Sequence, residues 1–274
     1  SLLWEISGNG LKTSSYLYGT IHMIGSDDYF LTEKTKEAIE TSKLLTLEIN
    51  LEEMMDMANM FPLLMKSFMK NDTTLRDLLS DEDYKLVSDH FQKTGLPIMF
   101  VEKIKPMFLS ALGGEDMMSM NQSGDVKSYE LEFTDLAKNK NIPVAGLETA
   151  EYQMSMFDSI PYKVQAEMLV SSIKSPSEKS GDDQFNDLVK LYKNRDLYGL
   201  QQMLQSDESG INDYGDLLLN NRNRNWIPIM EDMMDGKQVF FAVGAGHLAG
   251  EEGVIALLRK EGYKVKAIME KRKK

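Results

Sequence analysis

Two stretches at opposite ends of the chain share one chemistry-bearing spacing. Tyr16-Leu-Tyr-Gly-Thr-Ile-His22 and Val243-Gly-Ala-Gly-His247 each place a histidine three residues after a glycine, Gly19 before His22 and Gly244 before His247. The chain has 3 histidines, and these two both follow an apolar run, whereas His90 stands among charged residues and reads as a surface or helix-packing residue. Glycine lets the backbone turn sharply or lets another group approach closely, and Gly246 adds to that freedom beside His247. Either motif alone suits a tight strand-to-helix turn; it is the pair that points to one site.

Two acids have the right setting to join them. Glu48 interrupts the apolar Leu44-Leu-Thr-Leu47 run, where a carboxylate is costly unless it is paired, exposed at the strand end or bound to a metal. Glu148 follows Ile142-Pro-Val-Ala-Gly-Leu147 in the same way, although a carboxylate beside Thr149 also suits a helix start. Two imidazoles and one carboxylate, His22, His247 and Glu48, make a ligand set that leaves a place for water. A divalent ion held there would lower the pKa of that water and polarise a carbonyl, the requirement for metal-assisted hydrolysis. Without cysteine the ligands are nitrogen and oxygen, which suits Zn, Mn or Co. A second acid could then act as general base. Within Asn221-Arg-Asn-Arg-Asn-Trp226, Arg222 could clamp a carboxylate or stabilise an oxyanion, with Trp226 packed beneath it. A nucleophile elbow and a Gly-rich phosphate loop are both missing, which removes serine-hydrolase and nucleotidase readings.

These residues need elements to position them. Leu3–Ile6 and Tyr16–Ile21 read as strands of a hairpin across Ser7-Gly-Asn-Gly10, and Thr32 opens a helix to about Ser42. Strands follow at 43–50, 142–147, 237–243 and 263–268, the last two flanking a helix over 250–261 that Gly262 stops. Strand, helix, strand is the start of an α/β sheet, and ligands bind at the carboxyl ends of such strands, so His22, Glu48, Glu148 and His247 are expected on one edge. Met54, Met57, Phe61, Leu64, Met65 and Phe68 recur at helical spacing, which suits a helix packed on the core or an adaptable groove for a peptide or lipid surface. Further helices are expected over 81–93, 102–112, 129–139, 162–173, 183–194 and 197–205, with breaks at 113–124, 175–181 and 207–210.

At 274 residues with 42% hydrophobic and 27% charged, the chain can bury a substantial core, read as a single domain over 1–274 with mostly helical insertions at about 51–127 and 150–236. A net charge of -12 opposes binding to nucleic acid or an anionic membrane surface, and the Lys271-Arg-Lys-Lys274 tail is too short to reverse it. No apolar run is long enough for a transmembrane segment.

Leu17-Tyr-Gly-Thr-Ile-His22, Gly146-Leu-Glu-Thr149 with Gln153, Arg222-Asn223 with Trp226, and Val243-Gly-Ala-Gly-His-Leu-Ala-Gly250 with Gly253-Val254 resemble the TraB/GumN (PrgY) family, which includes the TIKI proteases that act on Wnt proteins. The resemblance implies a central mixed β-sheet flanked by helices with a helical elaboration, similar to the erythromycin esterase and ChaN-like group. It also implies a metal-dependent peptidase that acts on a peptide or protein through His22, His247 and a carboxylate. Where many relatives have aspartate seven residues before the alanine matching Ala137, this chain has Glu130, a further acid for the site beside Glu48 and Glu148. Other members bind or inhibit peptide pheromones, so a non-catalytic binding protein for a peptide or hydrophobic ligand is an alternative, as is a metal-free esterase-like hydrolase. The start at Ser1, directly before a strand, resembles an exported or lipid-anchored bacterial member after trimming.

Overall fold

In the computed structural model, which describes residues 1–112, 126–174, 181–205 and 211–269, the chain forms a six-stranded mixed sheet flanked by helices. Its strands are β1 (Leu3–Gly8), β2 (Ser15–Thr20), β4 (Leu44–Leu47), β6 (Val144–Gly146), β7 (Val239–Gly244) and β8 (Tyr263–Ala267), while β3 (Ile24–Gly25) and β5 (Val126–Lys127) pair separately. The order across the large sheet is β6-β4-β7-β2-β1-β8.

The β1–β2 hairpin turns through Gly8, Asn9 and Gly10, all at positive φ, which two glycines and an asparagine tolerate. β7 pairs in parallel with both β4 and β2, and β6 extends that parallel block beside β4. A strand buried on both faces needs no alternation, which explains the unbroken Val239-Phe-Phe-Ala-Val243 run. β8, at the edge, alternates buried Tyr263 and Val265 with exposed lysines, and charged side chains protect an open edge from further pairing. The main core gathers Ile6, Leu17, Leu45, Phe240, Phe241 and Trp226. A smaller apolar cluster around Leu75, Val87, Phe91 and Leu109 holds the helical part together, and His90 lies there against the ring of Phe91.

Several element boundaries differ from those expected. The stretch after Asn50 is two helices, Leu51–Met55 and Met57–Lys66, because Asp56 is extended and caps the second by accepting from the Ala58 amide at 2.8 Å. Its apolar side does not pack on the core: Met57 is 79% and Phe61 67% exposed, with Leu64 and Met65 also open. The helix expected over 102–112 starts at Pro106, a residue that disfavours helix before it and suits the first helical position. The helix expected from Gly250 starts at Val254, because Gly250 has φ +88 and the chain turns there first. The expected breaks at 113–124 and 207–210, residues 175–180 of the break expected over 175–181, and the tail at 271–274 lie outside the described residues, while Gly181, expected in that break, opens the helix Gly181–Lys193.

Candidate active site

Because β6, β4, β7 and β2 run in parallel, their carboxyl ends form one edge, and the residues just past those ends are Glu148, Glu48, His247 and His22. The motif glycines make this edge tight. A Cβ on Gly19 would come within 3.2 Å of the Ala245 backbone, so its absence lets the turn carrying His247 lie on β2. A Cβ on Gly244 would meet Glu48 Oε1 at 3.2 Å; without it the Glu48 carboxylate lies against the backbone and accepts the Gly244 N–H at 2.8 Å.

Arg222 sits at the centre, in the first turn of the helix Asn221–Met234. Its Nη2 donates to Glu48 Oε2 and, at 2.6 Å, to Glu148 Oε1, and its Nε donates to Glu148 at 3.0 Å. Its Nη1 donates to the Leu218 carbonyl at 3.1 Å and to His247 Nε2, also at 3.1 Å. All five N–H groups are thereby engaged, so Arg222 as it lies holds the acids and His247 together and has no spare donor for an oxyanion. Trp226, one turn along on the same face, stacks under the guanidinium at 4.8 Å and donates its indole N–H to Glu148 Oε2 at 3.0 Å. Gln153 bridges the two acids, donating to Glu148 at 3.1 Å and to Glu48 at 3.3 Å. Thr149 serves as helix cap, accepting from the Tyr152 amide, which leaves Glu148 free for Arg222.

The hydrogen-bond network assigns the protonation of His247. Its Nε2 accepts from Arg222, so its Nδ1 carries the proton and donates to Asn223 Oδ1 at 2.6 Å. Asn223 is itself fixed through its Nδ2, which donates to the Glu252 carbonyl at 2.8 Å. Burial, reinforced by the charge of Arg222 and opposed by Glu48, lowers the His247 pKa to about 4. Burial would raise the Glu48 carboxyl, but attraction to His247 and Arg222 and the Gly244 amide outweigh it and bring it down to about 2. Since His247 is uncharged above its own pKa, Arg222 and the amide hold Glu48 ionised at neutral pH.

His22 faces this cluster from the end of β2 but bonds elsewhere. Its ring is 78% exposed, and its Nδ1 lies 3.2 Å from Glu130 Oε1. Glu130 stands in the first turn of the helix Tyr129–Asn139, where a carboxylate is favoured. It also accepts from Thr20 Oγ1 at 2.7 Å and from Ser128 Oγ at 2.9 Å, so it is held from three sides. The hydrogen bond to Glu130, then its charge and that of Glu48, raise the His22 pKa to about 9, opposed by partial loss of hydration beside the strand ends and by the charge of Arg222.

The edge therefore brings Glu48, Glu148, Arg222 and His247 into one bonded cluster and sets the His22–Glu130 pair opposite. Glu48 and His247 lie 3.8 Å apart. Among the described residues, however, no three His, Asp or Glu side chains converge on a position that would hold a metal ion. The inward lone pairs of Glu48, Glu148 and His247 are occupied by Arg222, Gln153, Trp226 and the Gly244 amide, so with the guanidinium in place these residues do not fit a divalent ion. Asn223, Thr20 and Ser128 were not among the residues singled out by spacing; Asn223 stands in the quoted Arg222-Asn223 pair, but nothing in a linear pattern ties it to His247.

The model of the TraB/PrgY/gumN family matches residues 2–267, almost the entire chain. The chain belongs to that family. A relative, metalloprotease TIKI1 of Danio rerio, is 22% identical over 317 residues, an alignment covering 97% of this chain and 62% of the relative. This family member thus spans about three fifths of that relative's length. No solved structure matches it. No helix among the described residues is long and apolar enough to cross a membrane.

The two histidines act on stability in opposite directions. Between their ordinary pKa of 6.5 and about 4 the unfolded chain takes up a proton at His247 that the folded chain refuses, so stability falls as pH drops across that window. His22 has a raised folded value, so its contribution is complete below 6.5 and is lost as pH rises through about 9. Urea denaturation of the wild type and His22→Ala is expected to show a stability difference that is full below pH 6.5 and shrinks as pH rises toward 9. A difference that stays constant or grows between 6.5 and 9 would contradict the His22 assignment.

Proposed function

We propose that this chain is a hydrolase that cleaves peptide bonds in a polypeptide, with the reaction at the strand edge where His22 faces the Glu48, Arg222 and His247 cluster. The observation carrying this reading is the open His22–Glu130 pair beside a buried, fully bonded charge cluster, at the carboxyl ends of parallel strands. Similarity to a protein named a metalloprotease supports the reaction class.

Glu130 accepts from Nδ1 of His22 and leaves Nε2 as the proton-transfer atom. In its neutral form Nε2 takes a proton from a water molecule as the water oxygen bonds to the peptide carbonyl carbon. The resulting imidazolium gives that proton to the leaving amide nitrogen as the carbon–nitrogen bond breaks. Glu48 and Glu148 against the single charge of Arg222 leave this wall net negative, which favours a cationic substrate segment.

Incubation with a mixture of peptides and mass spectrometry of the products tests the reading, with parallel reactions in chelator and in added Mn, Co or Zn. New termini in the chelated reaction, lost in His22→Ala, are the expected result. Turnover confined to the metal-supplemented reactions would overturn the His22 route, and peptides recovered bound but intact would make the chain a binding protein. With His22 as base, the rate should climb as pH rises toward 9, and Glu130→Gln, which removes what raises that pKa, should shift the climb to lower pH.

A polypeptide substrate is favoured by the surface beside the cluster. A pocket of about 230 Å³ is lined by Asn50, Met54, Pro62, Leu63 and Glu148, so it runs from the acid of the cluster to the inner side of the helix Met57–Lys66, whose exposed Met57 and Phe61 lie on the opposite face. Replacing both Met54 and Leu63, which line the pocket, with serine should raise KM several-fold and leave kcat unchanged, the signature of lost uniform binding. An unchanged KM would remove this pocket from substrate binding.

A further inference from the structure

The ligand atoms that the sequence offers to a metal are arranged in this chain around something else. Glu48 Oε2, Glu148 Oε1 and His247 Nε2 all meet the Arg222 guanidinium. His247 is prepared as a metal-binding histidine would be, with its Nδ1 proton held by Asn223 so that the Nε2 lone pair points at the cation. Arg222 is anchored from outside the cluster as well, by the Leu218 carbonyl and the face of Trp226, so its position does not depend on the acids alone. Its side chain is 8% exposed, and those of Glu48 and Glu148 are 11% and 5%. Two carboxylates so enclosed need a cation, and the chain supplies one covalently.

We propose that the Arg222 guanidinium is the resident cation of the Glu48, Glu148 and His247 cluster, and that a divalent ion binds to those residues only when the guanidinium is removed from between them. This holds whether or not the chain is a peptidase. Each ligand atom has its inward lone pair committed to an N–H, and a metal would need the same lone pairs. The guanidinium and the ion therefore compete for one position.

Calorimetric titration with Mn, Co and Zn chlorides decides the matter on the wild type, Arg222→Ala, and the double variant Arg222→Ala with Glu148→Gln. The double variant loses one negative and one positive charge together, so the cluster keeps its net charge and folding is safeguarded if the single variant fails. Binding of one ion about ten-fold tighter or more in a variant than in the wild type is expected, and adding His247→Ala should abolish the gain. Co(II) should also quench Trp226, whose ring lies 4.5 Å from that of His247, in the variant and not in the wild type, with Trp226→Phe as the control for Trp4. Wild-type binding as tight as that of the variants, or no gained binding in either variant, would overturn the proposal.

Discussion

Arg222→Ala is expected to lower the stability of the protein by about 3–5 kcal/mol, the cost of leaving a buried charge without its partner. Two carboxylates, those of Glu48 and Glu148, lose their common cation at once, and both are nearly enclosed. The remaining donors, Gln153, Trp226 and the Gly244 amide, are neutral and cannot replace it. In thermal unfolding the loss corresponds to a melting temperature lower by about 10 °C. Adding Glu148→Gln should recover part of it, because one of the stranded charges is removed. Measurement is by urea denaturation of the three proteins at neutral pH. A loss below about 1 kcal/mol, as at an exposed ion pair, would show that the cluster is solvated and that the enclosed geometry does not govern its energetics.

His22→Ala should reduce peptide hydrolysis by about 10²- to 10⁴-fold while changing KM little, since general acid and base transfer contributes on that scale. The same substitution should leave the folded core intact, because the ring is largely exposed and its one described partner, Glu130, keeps the hydroxyls of Thr20 and Ser128. Hydrolysis by His22→Ala at the wild-type rate would move the chemistry to His247. Lost turnover in a variant that still folds, its stability changed only through the exposed His22–Glu130 pair, separates this role from the structural role of Arg222.

The sheet was largely legible in the residues. β1, β2, β7 and β8 are long enough, and flanked clearly enough by glycine and turn residues, that apolar runs locate them. The Met57–Lys66 helix was legible as a helix but not as an exposed one: periodicity says which residues share a face, not whether anything covers that face. The pairing of Arg222 with Trp226 is an i, i+4 relation within one helix, which local geometry dictates. Asn223 with His247, and Thr20 with Glu130, join elements 24 and 110 residues apart, and no local pattern specifies such contacts.

By itself the sequence determined which groups could do chemistry and that they lie at strand ends, because glycine, acid and histidine stand directly after apolar runs whose period is set by the backbone. Tertiary structure alone decided how those groups are shared out. Parallel pairing of β4, β6 and β7 brought Glu48, Glu148 and His247 to one point, and the helix Asn221–Met234 placed Arg222 there, so that two buried anions took a guanidinium as their partner. His22, expected beside His247, took Glu130 as its partner, because the helix Tyr129–Asn139 presents that carboxylate at the end of β2. Which cation a buried acid receives depends on distance and enclosure, and both are properties of the packed chain.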